Sequence, residues 1–349
     1  MAVIKTTDYL DTTSHLKLID DVFTEEMTKR LNKMVILKIF DEETNKHKND
    51  TEYVEEGMSW VQYIPENAEY PDANPWESGS MVFTKFKYGA KIVITEEMVL
   101  YNEFVSLEKR VRSLTQNMLN SIEQCLADVL RRWFSSASYV DAFGRTTPAV
   151  WHEGRALFNS TDGNIIKVGA TSNPELSIKA LDSVWVMGQN HVDSVGNHKA
   201  INYDTVLVSP KLRSRADTLV NSEQLPWSSD NAINPIKWRF KVIDSAWLGG
   251  IMDVAGTPTN TDDYWYVFDS EMVKEQLKVK WARHPSIVLA GQDAYNANWV
   301  RRLSAIFARG FLNFAYIAGS TGANAVDKEG IAVEVINGTS NPVKTKEVA

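Results

Sequence analysis

Residues 95–134 read TEEMVLYNEFVSLEKRVRSLTQNMLNSIEQCLADVLRRWF, and this stretch carries the strongest structural signal in the chain. Thr95 can cap a helix N-terminus, while Arg131 and Arg132 suit the C-terminal end of the helix dipole. The spacing predicts one amphipathic helix over 95–134, roughly 55 to 60 Å long. Periodicity alone leaves its partner surface open, so a coiled coil or a helix bundle stays an alternative at this point. Apolar side chains recur at spacings of three and four residues, at Phe104, Leu107, Val111, Leu114, Met118, Ile122, Cys125, Val129 and Trp133.

The composition limits the classes of protein to consider. The chain has 349 residues, a formal net charge of −8 and a single cysteine. These values exclude an intramolecular disulfide framework and argue against tight binding of nucleic-acid phosphates. The sequence contains no long uncharged apolar run and no signal-peptide pattern, so we expect a cytosol-like compartment and no membrane. Eleven tryptophans favour extensive packing or subunit contact over stacking platforms for sugars or bases.

Upstream of the predicted helix, the chain divides into an arm and a hairpin. Residues 1–15 are polar and Thr-rich, which is typical of an extended arm, whereas 16–40 have apolar residues at helical spacing and then a β-branched run at 35–40. The charged stretch 41–52 is expected to be an exposed connection. SWVQYI (59–64) and MVFTKFKYGAKIVI (81–94) have the composition of strands, and the Pro- and Asn-rich segment 65–80 between them predicts an irregular tip. An isolated two-stranded ribbon is marginal in water, so this hairpin must pack on its own domain or on a neighbouring subunit.

Downstream of the predicted helix, 135–175 is a Gly- and Ser-rich loop, and an α/β pattern follows it. Residues 321–349 are small and polar, which is typical of a flexible tail or a late edge strand. The predicted elements between these segments are a helix over 176–192, a strand over 203–209, a helix over 210–220, strands over 237–248 and 264–269, a short helix over 271–276, and long strands over 276–289 and 301–320.

Six stretches occur in an order that resembles a known family. They are YGAKIVITEEMVLYNE (88–103), ALFNSTDGN (156–164), YDTVLVSPKLRSRADTLVNS (203–222), WRFKVIDSAWL (238–248), WYVFDSEM (265–272) and FARGFLNFAYIAGS (307–320). This order resembles that of the major capsid proteins of tailed bacteriophages, which have the HK97-like fold, and is most similar to the Mu-type major head subunits. The resemblance covers about residues 50–320.

The resemblance implies an α+β, HK97-like capsid fold and a division of the chain into parts. In this family the extended loop reaches over the adjacent subunit. We therefore take the side chains in and around the tip as candidate subunit contacts, namely Trp60, Tyr63, Pro65, Glu66, Tyr70 and Trp76. The expected parts are an N-terminal arm (1–52), an extended β-hairpin loop (53–94), a peripheral domain with the long helix (95–175), an axial domain (176–275), return strands of the peripheral domain (276–320) and a C-terminal tail (321–349).

The function that the resemblance implies is that of a major head protein which assembles into an icosahedral shell around double-stranded DNA. The chain would form hexamers and pentamers in the virion capsid, would assemble in the host cytoplasm and would enclose DNA without tight, sequence-specific binding. The sequence contains no segment long enough to be a fused scaffolding domain, so we expect a separate scaffold protein, together with a portal and, as an optional partner, a decoration protein. Contacts between different surfaces of identical subunits generate rings or closed shells, which agrees with this expectation.

No nucleotide-binding loop, nucleophile elbow or zinc motif is present. We therefore expect no enzyme activity, no catalytic residue, no cofactor and no metal site. Other polar groups have simpler explanations: His191 and His198 in a loop, the two Asp of TNTDDYW (259–265) in a turn, and Glu96 and Glu97 in a first helical turn. Some relatives of the family form covalent Lys–Asn links, but nothing singles out a reactive pair among residues such as Lys85, Lys87, Lys91 and Asn67, so we expect none here.

Two alternatives stay open on the sequence. An encapsulin-like compartment shell would share the fold but would need a groove for a cargo peptide. An aromatic-rich carbohydrate-binding or hydrolytic protein would need carboxylates and aromatic rings clustered in one cleft.

Overall fold

A computed structural model describes residues 12–58, 61, 63–72, 75–95, 97–98, 101, 104–141, 143–149, 154–161, 163–192, 196–226, 232–252, 258–292 and 298–325. The helices are α1 (Thr12–Leu31), α2 (Phe104–Arg132), α3 (Ile178–Gln189), α4 (Pro210–Asn221) and α5 (Val273–Gln276). The longer strands are β1 (Asp41–Thr44), β2 (Asn49–Met58), β3 (Pro75–Thr84), β4 (Phe86–Ile94), β9 (Thr205–Val208), β10 (Lys241–Asp244), β13 (Trp265–Phe268), β14 (Leu277–Gln292), β15 (Trp299–Phe311) and β16 (Ile317–Ser320). Two-residue strands form three small pairs, β5 (Tyr139–Val140) with β6 (Thr146–Thr147), β7 (Lys167–Val168) with β8 (Thr171–Ser172), and β11 (Ile251–Met252) with β12 (Pro258–Thr259).

Helix α2 confirms the predicted amphipathic helix, although it begins nine residues later than the sequence suggests. Its apolar stripe is buried along most of its length, from Leu107 to Val129, and Cys125 lies fully inside the core. The residues before it form a separate helical turn, in which Thr95 Oγ1 accepts a hydrogen bond from Met98 N at 3.3 Å. With 29 residues, α2 is about 43 Å long at the usual helical rise.

The long sheet has the strand order β1–β14–β15–β4. β1 is parallel to β14, and the other two pairs are antiparallel. Helix α2 packs on β4 and β15, and α1 packs on α2. Region 41–52, predicted as an exposed connection, is exposed or half-buried throughout, but it forms strands instead of a plain connection, since it supplies the edge strand β1 and the beginning of β2.

The predicted hairpin is present but its strands lie elsewhere. β2 pairs with β3, so the paired segments are 49–58 and 75–84, and the described residues of the predicted strand 59–64 are not in a strand. The predicted strand 81–94 is divided at Lys85 into β3, which belongs to the ribbon, and β4, which belongs to the long sheet. The extended hairpin thus spans 49–84 instead of 53–94.

The second sheet has the order β10–β9–β13–β16 and lies beside α3 and α4. β9, β13 and β16 are buried at every residue, as expected for continuous apolar runs. The predicted strand 237–248 is reduced to β10, followed by a short 3₁₀ turn at Ala246–Leu248. The predicted strand 301–320 is also divided, since β15 lies in the long sheet and β16 pairs with β13 in the second sheet.

The part of the N-terminal arm that the structure describes is attached to α2. Glu26 of α1 accepts a hydrogen bond from Arg112 of α2 at 3.2 Å. The main-chain N–H groups of Val35 and Ile36 both donate to Oε1 of Glu123 on α2, at 2.7 and 3.1 Å. The arm therefore packs on its own subunit from Ile19 onward, and residues 1–11 lie outside the described part of the chain. No helix in that described part is both long and apolar enough to span a bilayer.

Candidate assembly surface

The ribbon, residues 49–84, is a two-stranded extension, and the described residues of its tip, 59–74, are nearly all exposed and so make few contacts with their own chain. Strand pairing runs from Asn49 opposite Thr84 to Met58 opposite Pro75, with irregularities after Val54. Every described residue of the tip except Ile64 is exposed. A segment with so few internal contacts needs a partner surface to order it.

Large apolar side chains of the tip are almost completely accessible. The exposed fractions are 97% for Val61, 89% for Tyr63 and 80% for Tyr70. Exposed tyrosines on a ribbon are typical of interface anchors, because their rings supply a large apolar area with few rotatable bonds.

The structure describes four of the six predicted contact residues at side-chain level. Tyr63, Pro65, Glu66 and Tyr70 are all exposed on the tip. Pro65 begins a turn, in which Ala68 N donates to Pro65 O at 3.1 Å and Asn67 has a φ of 66°. The other two candidates are Trp60, which lies outside the described residues, and Trp76, for which only the backbone position in β3 is described.

The base of the ribbon, in contrast, is firmly packed. Phe83 on β3 is 1% exposed and lies against Gly310 of β15. A Cβ atom added at Gly310 would lie 2.8 Å from Cε1 of Phe83, so the approach of the ribbon requires glycine there. The ribbon is thus anchored at one end and free at the other.

A buried lysine joins the long sheet to the ribbon. Lys280 on β14 is 1% exposed, and its ammonium group contacts Glu43 of β1 together with Asp50 and Glu52 of β2. Its Nζ also lies 5.6 Å from the centroid of the Phe83 ring. Burial opposes ionisation of Glu43, but hydrogen bonds from Lys280 and Lys278 outweigh it and lower the pKa of the carboxyl group.

A second set of ionic contacts fixes the edge strand β1. Lys278 Nζ donates to Asp41 at 2.6 Å and to Glu43 at 2.9 Å. Burial lowers the pKa of Lys278, and the hydrogen bonds to the two carboxylates raise it by more, so the net shift is upward. The indole N–H of Trp281 donates to Glu42 at 2.8 Å. Together these contacts hold β1 against β14.

Lys85 occupies the point where β3 ends and β4 begins. Its side chain is buried and donates to the side chain of Asn45 and, at 3.0 Å, to the carbonyl of His47. Its main-chain N–H donates to Lys48 O at 2.9 Å. Desolvation lowers the pKa of Lys85, although Asp50 and Glu43 oppose that shift. Lys85 therefore fixes the change of direction between ribbon and sheet.

Sequence reasoning missed this base cluster. Lys278 and Lys280 alternate with apolar residues in LKVKWA, and the complementary acids DEET lie more than 230 residues earlier. Two lysines inside an otherwise apolar strand are a signal of an inward polar face, because a buried ammonium group requires a partner. The identity of that partner depends on the parallel pairing of β1 with β14.

The described residues contain one group of three side chains with metal-ligand geometry, Glu43, Asp50 and Glu52. The ammonium group of Lys280 lies among these carboxylates and supplies the compensating positive charge. This arrangement is an ion-pair cluster and gives no reason to assign a metal.

The remaining polar groups occupy local turns. His198 forms an isolated antiparallel bridge with Val192, next to His191, and Lys199 N donates to His191 O at 2.9 Å. Asp262 accepts from Gly250 N at 2.7 Å, and Asp263 pairs with Lys211 at 2.9 Å, which places both in the turn before β13. Glu97 is exposed near the start of its helical turn, and Glu96 lies outside the described residues.

Comparison with known proteins gives the family. A family model described as phage capsid protein matches residues 80–337, which is well over half of the chain. No curated protein matches the chain. The family match supports the predicted role as a major capsid shell protein, located in the virion capsid, more strongly than the encapsulin-like alternative.

Several solved structures resemble the chain at low sequence identity. A chain from Gordonia phage Cozz is 12% identical, with a TM-score of 0.48, and the match covers 84% of this chain and 87% of that one. The capsid of the cyanophage P-SCSP1u is 11% identical, with a TM-score of 0.47 and coverages of 84% and 88%. The virus-like particle of Pyrococcus furiosus is 11% identical, with a TM-score of 0.43 and coverages of 87% and 98%. The α+β class predicted from the sequence is confirmed, and by its family match the chain belongs to the phage capsid protein family.

Proposed function

We propose that the chain builds an icosahedral, HK97-type phage head by placing the tip of its ribbon on a neighbouring copy. The observation that carries this proposal is the contrast between the two ends of the ribbon. The base is held by buried Lys280 and Phe83, whereas Val61, Tyr63 and Tyr70 at the tip are almost fully exposed. A ribbon that is rigid at its base and bare at its tip is suited to a contact between subunits.

The two four-stranded sheets fit the two domains that we expect in such a subunit. The long sheet with α1 and α2 would form the peripheral domain, and the second sheet with α3 and α4 would form the axial domain around five-fold and six-fold positions. β16 joins the second sheet late in the chain, so the axial domain would include residues near 317–320 as well as 176–275. We also assign the chain, by the order of its segments, to the Mu-type head subunits.

The proposed shell consists of hexamers and pentamers and encloses double-stranded DNA without tight, sequence-specific binding. A net charge of −8 suits this role, because an acidic subunit does not hold the phosphate backbone strongly. We propose that assembly takes place in the host cytoplasm with a separate scaffold, a portal and, as an optional partner, a decoration protein. The protein acts as a structural subunit and not as an enzyme.

The test is a set of tip variants of the full chain. Replacing Val61, Tyr63 and Tyr70 together with serine removes the apolar anchors and leaves both strands intact. We expect a folded subunit that fails to form shells, rings or tubes in negative-stain electron microscopy and light scattering, alone or with its candidate scaffold. Circular dichroism and size-exclusion chromatography of the same sample establish that the subunit is folded.

The matched control is the double variant Tyr63→Phe and Tyr70→Phe, which keeps the ring area and removes only two hydroxyl groups. It should assemble like the wild type. Shells of normal size and yield from the triple serine variant would remove the role assigned to the tip.

A further inference from the structure

Charge is divided unevenly between the ribbon and the long sheet. The ribbon contains eight acidic residues and neither Lys nor Arg. Three of these acids lie on the exposed tip. The eight are Asp50, Glu52, Glu55, Glu56, Glu66, Glu69, Asp72 and Glu77.

The three long strands of the sheet show the opposite composition. β4, β14 and β15 contain eight Lys or Arg residues and neither Asp nor Glu. Such a segregation is notable in a chain whose net charge is −8, because the acids outnumber the bases elsewhere. The eight are Lys87, Lys91, Lys278, Lys280, Arg283, Arg301, Arg302 and Arg309.

Four of these cations have acidic partners within the subunit. Lys278 and Lys280 contact carboxylates of β1 and β2, as described above. Arg301 lies 3.3 Å from Asp20 of α1, and Arg309 lies 3.2 Å from the buried Asp141. These contacts neutralise four of the eight cations, but they do not neutralise the cations nearer the middle of the sheet.

The middle carries Lys87, Lys91 and Arg302, which together we call the basic face. All three are exposed and alternate with the buried residues Tyr88, Ile92 and Leu303, so they point away from α2. Within the described part of the chain, no carboxylate forms an ion pair with any of them.

The register of the strands brings two of these charges together. Lys91 lies directly opposite Arg302 in the β4–β15 pair. Like charges in this position destabilise a sheet pair. An acidic partner from outside the subunit would remove that repulsion.

Arg283 of β14 reinforces the same face. It donates through Nη2 to Ser304 of β15, while its buried Nε has no hydrogen-bond partner among the residues that the structure describes. Ser304 lies opposite Gly89 of β4, between Lys87 and Lys91. The face therefore combines positive charge with an unused buried donor.

From this complementarity we infer that the basic face of one subunit receives the acidic tip of a neighbour's ribbon, through Glu66, Glu69 and Asp72. The inference rests on the proposed function and names the surface on which the tip lies. One chain already shows the same type of contact, because Asp50 and Glu52 at the ribbon base contact Lys280 of β14. The tip carboxylates are exposed in their own subunit and are available to a second copy.

The test is a charge exchange in the full-length protein. One variant carries Lys87→Glu, Lys91→Glu and Arg302→Glu, a second carries Glu66→Lys, Glu69→Lys and Asp72→Lys, and a third combines both sets. Each single set places like charges at the contact, so we expect the protein concentration needed for shell formation to rise by about tenfold or more. The combined variant restores opposite charges and should recover shells.

A control reverses the same number of exposed charges elsewhere, with Lys33→Glu, Lys241→Glu and Lys274→Glu. It should assemble close to the wild-type concentration. Assembly of the wild type should also weaken in about 1 M salt, where the screening length is roughly 3 Å. Thermal unfolding of every variant identifies any change that acts through folding.

Three results would overturn the inference. Normal assembly of either single set is the first, and failure of the combined variant to recover shells although it is folded is the second. The third is a basic-face variant that forms normal shells but loses binding of a fluorescent DNA duplex, because that face would then contact nucleic acid. The proposed function is tested separately by the triple serine variant of the tip. If that variant fails to assemble, the tip is still needed for assembly even where one of these three results rejects the basic face as its contact surface.

Discussion

The Nζ atom of Lys280 lies 3.4 Å from Oδ2 of Asp50, and this contact links the long sheet to the first strand of the ribbon. The two residues are distant in sequence and become neighbours because β1, which pairs with β14, is followed within a few residues by β2. A buried lysine with three carboxylates can fix the direction of the ribbon more narrowly than backbone pairing alone, since the ribbon strands pair only with each other.

Replacement of Lys280 with Met should loosen the ribbon. The change removes the ammonium group that contacts Asp50 and Glu52 and leaves Glu43 paired with Lys278 alone, which we expect to lower the free energy of unfolding by about 2–4 kcal/mol. Urea unfolding measures that loss, and limited proteolysis should show faster cleavage within 49–84. Lys274→Met, at an exposed position on α5, should change stability by less than about 0.5 kcal/mol. Equal free energies of unfolding for Lys280→Met and Lys274→Met would contradict the stabilising role assigned to Lys280 at the base of the ribbon.

The same cluster should respond to acid. The pKa of Glu43 is lowered in the folded protein, so its contribution to stability is present above the ordinary carboxyl pKa of about 4.3 and disappears as the pH falls through the folded value. We therefore expect the wild type to melt at a higher temperature than Glu43→Gln at pH 7, with the difference shrinking once the pH falls below the ordinary carboxyl pKa and through the lowered folded value. Melting curves of the unassembled serine tip variant, with and without the Gln change, measure this. A difference independent of pH would reject the ionic explanation.

Glu123 should hold the N-terminal arm on α2. Replacement with Ala leaves the buried N–H group of Ile36 and the neighbouring N–H group of Val35 without their acceptor, which should cost about 1–3 kcal/mol. Glu123→Gln retains one acceptor oxygen and should lose less. Hydrogen exchange at residues 32–40 provides the local readout, and unchanged exchange in the Ala variant would contradict the prediction.

Gly310 should be intolerant of a side chain. In Gly310→Ala the added methyl would lie 2.8 Å from the Phe83 ring, and we expect a loss of about 1–3 kcal/mol from overpacking. Phe83→Leu removes the ring atoms that the added methyl would meet. Adding Gly310→Ala to Phe83→Leu should therefore lower the free energy of unfolding by less than Gly310→Ala lowers it in the wild type. Chemical denaturation of all three variants measures this coupling. If the two substitutions lowered the free energy of unfolding additively, the Phe83 ring would not be the group that excludes a side chain at position 310.

Local patterns made some of this structure predictable. The apolar stripe of α2 is visible because neighbours on a helix face lie three or four residues apart, and the buried strands β9 and β13 are visible as short apolar runs. The turn-forming residues of 65–80 predict an irregular tip, and Tyr63, Pro65, Glu66 and Tyr70 are exposed in and beside it. Their role as subunit contacts stays a prediction.

Sheet membership could not be predicted in the same way. Alternation of side chains continues through Lys85 and through 301–320, so each stretch looks like one strand, although each is shared between two sheets. Each stretch is divided into two strands because its two parts pair with different distant segments. The alternation of side chains along a strand does not indicate which segment the strand pairs with.

The sequence by itself determined the long helix, the α+β class, the exposed tip and the separation of acidic from basic segments, because each is a property of residues close together along the chain. Only the tertiary structure decided that Lys280 meets Glu43, Asp50 and Glu52, and that Lys91 lies opposite Arg302. Those contacts arise from strand order and register, which are set by burial of the whole core and by pairing across more than two hundred residues.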